Sequence, residues 1–144
     1  MPRQRELGNV GVYHGKWGED VATEFLRRGG FEILDRNTHP CERDRRLEID
    51  IVAWDRSHDE LVFVEVKQHA TITRYARRLR SIDRAKRKNL RRACVAWRRR
   101  NSWAGAFRFD VIEVYGIPKG GRPVIDHIRN VALFVAPERF VNWN

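Results

Sequence analysis

The chain has 144 residues, 42% of them apolar and 33% charged, with a net charge of +10. That length predicts one domain with a core large enough to dispense with disulfide or metal staples. The composition excludes a disordered chain, and no apolar run approaches the roughly 20 residues of a membrane helix. Met1 to Glu6 lacks the apolar stretch of a secretory signal. Cys41 and Cys94 lack metal-ligand spacing and suit reduced thiols, so a cytoplasmic location is expected.

Residues 1–15 are polar and glycine-containing, which predicts a flexible arm ahead of a single domain over 16–144. A helix is expected from Gly18 to Arg28, stopped by Gly29-Gly30. Phe31 to Asp35 predicts a first strand, and His39 to Arg46, with Pro40, a polar turn. Leu47 to Trp54 predicts a second strand and residues 55–59 a turn. Glu60 to Lys67 (ELVFVEVK) is the strongest strand signal in the chain. Residues 68–80 predict an arginine-rich loop, and 81–99 a long helix with Ser81 as its N-cap. Strands follow at 107–115 and 123–129, the last at a sheet edge, and the apolar tail 130–144 is expected to pack on the core. The order predicts a mixed α/β sheet of about five strands flanked by helices.

Strand side chains alternate faces, so Leu61, Phe63, Glu65 and Lys67 share one side and Val62, Val64 and Val66 the other. A strand this apolar is buried on both faces, where an acid and a base cost several kcal/mol unless paired or used. Two readings compete: a structural ion pair at a strand end, or a functional pair. In the preceding strand the same alternation sets Glu48 and Asp50 on one face and the isoleucines on the other. A hairpin through 55–59 would let Asp50 and Glu65 converge. Converging carboxylates repel unless a cation lies between them, and an oxygen-only set suits Mg²⁺ or Mn²⁺. Glu48 also reads as a solvated edge residue. In the first helix Glu19 lies at the margin of the apolar arc Val21, Ala22, Phe25 and Leu26. It can reach over the sheet, or be an acid that simply favours a helix N-terminus. Asp110 reads as support for a basic group. The scattered histidines (14, 39, 58, 69 and 127) suggest no metal site, and the five tryptophans read as packing residues.

The charge is concentrated: residues 74–100 hold thirteen basic residues and one acid, leaving the remainder near neutral. On the helix at 81–99 the apolar arc is Ile82, Ala85, Leu90, Ala93, Ala96 and Trp97. Arg84, Arg87, Lys88, Arg91, Arg92, Arg98 and Arg99 take the opposite arc. A merely solvated face would mix signs, so this one predicts contact with nucleic-acid phosphates. Lys86 breaks the pattern by sitting on the apolar arc. It either snorkels to solvent or reaches the acids on the sheet, Glu65 above all.

Gly18-Glu19-x-x-Ala22-x-x-Phe25-Leu26, Arg36-Asn37, Glu48-Ile49-Asp50-Ile51-Val52-Ala53 and Val62-Phe63-Val64-Glu65-Val66-Lys67 occur in that order. Lys86, Arg108-Phe109-Asp110-Val111 and His127-Ile128-x-Asn130 follow. This set, over roughly residues 8–135, resembles the YraN family of bacterial endonuclease-like proteins, which are similar to Holliday-junction resolvases of the PD-(D/E)xK superfamily. The resemblance implies a restriction-endonuclease-like fold, with Glu19, Asp50, Glu65 and Lys67 as the catalytic set. It also implies Mg²⁺ or Mn²⁺ on Asp50, Glu65 and Glu19, and a homodimer. The chain departs from the family pattern at Leu47, where a glycine is usual, and at His69, where a basic residue is usual. It also lacks the usual glycine within 68–80.

The expected function is a Mg²⁺-dependent endonuclease on branched or flapped DNA, with Arg84, Lys86, Arg87, Lys88, Arg91, Arg92, Arg98 and Arg99 on the phosphates. The alternative is a non-catalytic nucleic-acid-binding module of the same fold. An RNA-binding protein would share the basic helix, but the aromatic pattern of an RNP motif is missing.

Overall fold

The computed structural model describes residues 3–71 and 84–133. The elements in chain order are α1 (Arg3–Arg28), β1 (Phe31–Thr38), β2 (Ile49–Asp55), β3 (Glu60–His69), α2 (Arg84–Arg100), β4 (Phe107–Tyr115) and β5 (Val124–Ile128). The five strands form one sheet in sequence order. All neighbours are antiparallel except β3 and β4, which run parallel. A parallel pair requires a crossover, and α2 lies within it. This is the mixed α/β sheet expected from the sequence.

The alternation along β3 divides the core in two. Leu61 and Phe63 point to one face, where they join Leu90, Ala93, Cys94 and Trp97 of α2. Val62 and Val64 point to the other, where they meet Ala22 and Leu26 of α1. Each helix covers one face, and both cores are closed: Val62, Phe63, Val64 and Ala93 have no solvent exposure. Burying each such aliphatic or aromatic side chain contributes about 1.5–3 kcal/mol. Leu47 is buried in the α2-side core.

Several boundaries differ from those expected. α1 begins at Arg3, so the backbone of the segment expected as a polar arm is helical. β1 continues to Thr38 past a bulge between Ile33 and Asp35, which leaves Leu34 on the surface. β3 runs past Lys67 to His69, whose ring stacks on Tyr115. The isoleucines of β2 do not share a face: Ile49 joins the α2-side core and Ile51 the α1-side core. The cause is local. Ile49 pairs with Thr38 of β1, but the β2–β3 ladder begins only at Ile51 and Val64, so the strand end is free of the strict alternation. Ser81, Ile82, most of the 68–80 loop and the tail beyond Leu133 lie outside the described residues. Among the described residues no helix is long and apolar enough to cross a membrane. Cys41 and Cys94 are both free thiols.

Candidate active site

The hairpin expected through residues 55–59 is present, and Asp55 fixes its turn. Its carboxylate accepts hydrogen bonds from the backbone N–H groups of Ser57 and His58, at 3.0 and 3.3 Å. At the far end of this hairpin β2 and β3 part after the Ile51–Val64 pair. The Val66 N–H, beyond the last paired position, donates instead to Asp50 Oδ2 at 2.8 Å. The Asp50 side chain thus does the work of the absent strand partner, and its carboxylate is turned toward β3.

There it meets Glu65. The two carboxyl groups face each other, Glu65 buried and Asp50 half-buried. Burial first, and the Glu65 carboxylate second, push Asp50 up to about 8. Two cations face the pair. Lys67 Nζ lies 3.7 Å and Lys86 Nζ 2.5 Å from the same oxygen, Glu65 Oε1. Burial, then the neighbouring Lys86, lowers the pKa of Lys67. Burial also presses Lys86 downward, but the Glu65 carboxylate outweighs it and the net shift is upward. So α2 delivers Lys86 from its sheet-facing arc onto Glu65, the contact the sequence singled out.

Glu19 comes from α1 by a different route. Arg36 donates to Asp20 Oδ1 at 2.7 Å, and the adjacent Asn37 lies close enough to Glu19 to favour its charged form. Asn37 has φ +47°, a conformation asparagine tolerates better than most residues. The Arg36-Asn37 pair therefore pins this turn of α1 to the end of β1. Burial, together with Glu48 and Asp20, raises the Glu19 pKa above the usual carboxylate range despite Asn37 and Arg36. Gly18 lets α1 come this close, because a Cβ there would sit 2.8 Å from Gln68 Oε1 on β3.

A cleft of about 310 Å³ opens over the pair, lined among others by Arg46, Glu48, Asp50, Glu65, Lys86 and Asn89. Arg46 and Asn89 were not apparent from the sequence, since neither breaks a hydrophobic pattern. The donor chemistry suits a hard divalent cation. A buried and a half-buried carboxylate converge, and Mg²⁺ is usually held by one or two carboxylates, with water and phosphate completing its shell. Among the described residues no three Asp, Glu, His or Cys side chains close on one point. Glu19 acts electrostatically on Asp50 without joining such a group.

The basic arc of α2 divides into two sets. Arg84, Lys88, Arg92 and Arg99 are exposed, while Arg87 is half-buried. Arg91 donates to the Leu133 carbonyl at 3.3 Å, and Arg92 pairs with Asp44 at 3.4 Å. Arg98 lies over the Phe107 ring, 3.9 Å from its centroid. Asp110 supports basic groups: it is fully buried and accepts from Arg108 Nε at 3.0 Å and the Asn130 N–H at 2.8 Å, with His127 Nε2 at 2.8 Å. Trp97 packs in the core and donates to Asp35 Oδ2 at 3.2 Å.

Fold and site together define an α/β protein with a carboxylate–lysine centre at the open end of its central hairpin. The family described as "Uncharacterised protein family UPF0102" matches residues 18–114, which include every element of that centre, and the chain belongs to this family. It is 37% identical to a UPF0102 protein of Renibacterium salmoninarum over 118 residues, 81% of this chain and 93% of the relative. It is 36% identical to one of Rhodococcus opacus over 118 residues, 81% and 92% of the two chains. A Streptomyces griseus relative is 35% identical over 120 residues, 82% and 94% of the two.

Proposed function

We propose that this protein is a Mg²⁺- or Mn²⁺-dependent endonuclease of the restriction-endonuclease-like type that hydrolyses phosphodiester bonds in branched or flapped DNA. The observation that carries this reading is the Asp50–Glu65 pair, half-buried and buried respectively, with Lys67 beside it at the mouth of a cleft. A module that only binds nucleic acid gains nothing from two carboxylates buried against each other, an arrangement that costs stability.

Asp50 and Glu65 would hold the metal, with Glu19 supporting it from α1. Bound there, the metal supplies Lewis-acid activation of water and neutralisation of phosphate charge. Lys67 orients the attacking water or stabilises the charge developing on the phosphate. Arg46 at the cleft and the exposed Arg84, Lys88 and Arg99 of α2 contact flanking phosphates. DNA is favoured over RNA by the resemblance to junction resolvases.

The test is cleavage of labelled linear, flapped and four-way-junction DNAs, with matched RNAs, in Mg²⁺ or Mn²⁺ and in EDTA. Metal-dependent cutting of the branched DNAs, lost in Asp50→Asn, is the expected result. Salt-sensitive binding with no cutting in either metal would instead identify a binding module.

A further inference from the structure

We infer that Lys86 is the resident counter-cation of the carboxylate pair, and that a divalent metal entering the site displaces its ammonium from Glu65. The inference rests on the metal-dependent reading above and concerns what the metal-free protein must give up.

The pair is already faced by cations. Asp50 and Glu65 face Lys67 and Lys86, two acids against two bases. Both ammonium groups address a single oxygen, Glu65 Oε1. A divalent ion brings two further positive charges to that oxygen. Three cationic centres then compete for one carboxylate, and the one with the readier access to solvent leaves, since its charge is the least costly to rehydrate.

Geometry decides which. Lys67 is carried on β3 two residues beyond Glu65, and its side chain is 18% exposed. Its ammonium has little solvent to withdraw into. Lys86 reaches in from α2 on a flexible four-carbon stem, and its side chain is 40% exposed. That exposed fraction opens directly onto solvent at the mouth of the cleft that Lys86 lines. The displaced ammonium therefore passes from the carboxylate to solvent without unfolding anything.

Mn²⁺ affinity of the full-length chain, without nucleic acid, tests this directly by calorimetry or electron paramagnetic resonance. Lys86→Met and Lys86→Gln remove the competitor and keep a helix-compatible stem, so either one, if folded, decides the question. The expected result is Mn²⁺ binding at least roughly tenfold tighter than in the parent. Lys86→Arg retains the charge and is expected to bind Mn²⁺ no more tightly than the parent. Equal affinity in the parent and the neutral variants overturns the inference, whether or not the protein cuts DNA. Failure of parent and variants alike to bind Mn²⁺ overturns it together with the metal centre. Tighter binding in the neutral variants, with no cutting of any nucleic acid, sustains it and removes the nuclease assignment alone.

Discussion

Asp50 does two things at once: it closes the backbone at Val66 and it opposes Glu65. Asparagine keeps the first role, because its side-chain oxygen can still accept the Val66 N–H, and relieves the second. Asp50→Asn is therefore expected to raise the melting temperature of the metal-free protein by roughly 5 °C. It should also abolish Mn²⁺ binding and leave DNA affinity intact. A lower melting temperature in EDTA would show that the pair is held by attraction rather than tolerated. Asp50, Glu65 and Lys67 were legible in the sequence because charges in a period-two apolar run have few structural uses. Asn37 was not, since its role depends on a left-handed turn at the end of β1 that no local pattern announces. Arg98 was legible as basic but not as a residue spent on Phe107, because that contact joins α2 to β4.

At the scale of elements, α2 combines an apolar seam with a basic outer arc, and the structure separates arginines that hold the protein together from those that face outward. Arg84, Lys88 and Arg99 changed together to Ala should flatten the dependence of log K on log salt by about 0.9 per lost phosphate contact on duplex DNA. Arg98→Ala should instead cost stability, about 1 kcal/mol from the lost ring contact, with little change in that slope. Salt titrations paired with urea unfolding distinguish the two. α1 offers a second test. Gly18→Ala improves helix propensity by about 1 kcal/mol, yet its Cβ would press on Gln68. The variant is expected to melt lower than the parent, and adding Gln68→Ala should recover part of the loss; an unchanged melting temperature would mean that α1 shifts freely. That α1 starts at Arg3 was not legible, because its first turns carry glycine and polar residues without an apolar period.

Across the whole molecule, the two ends of the sheet carry charge of opposite purpose. The open end of the hairpin holds the strained carboxylate pair. The end near the 55–59 turn holds a satisfied network, in which Arg108 pairs with Asp55, Glu60 and Asp110. Burial alone would raise Asp110, but His127, Arg108 and the Asn130 N–H together hold it below the usual carboxylate range. A carboxyl depressed in the folded state contributes stability above its unfolded pKa, and that contribution fades as pH falls through the lower folded value. Asp110→Asn is expected to cost about 3 kcal/mol at neutral pH. The gap between variant and parent should narrow as pH falls below 4; a gap independent of pH would place the loss in packing. The sheet itself was legible, since its strands are marked by periodicity and its turns by Gly, Pro and Asp. The β2–β3 divergence was not, because it is a property of pairing between strands rather than of either strand.

The crossover that makes β3 and β4 parallel also orders the assembly of the molecule. β2 and β3 meet across the short 56–59 turn, whereas β4 can reach β3 only after the chain spanning 70–106 has closed. Local pairing is fast, and long closure must be completed before its contacts give any return. The hairpin should thus be formed in the transition state, and α2 should settle afterwards. Val62→Ala is expected to slow refolding, and Leu90→Ala mainly to accelerate unfolding, as measured from the two arms of a denaturant chevron. Asp50 and Glu65, both carried by the hairpin, then face each other before Lys86 arrives to neutralise them. Folding passes through a moment of like-charge repulsion, which added salt should ease by speeding the refolding arm.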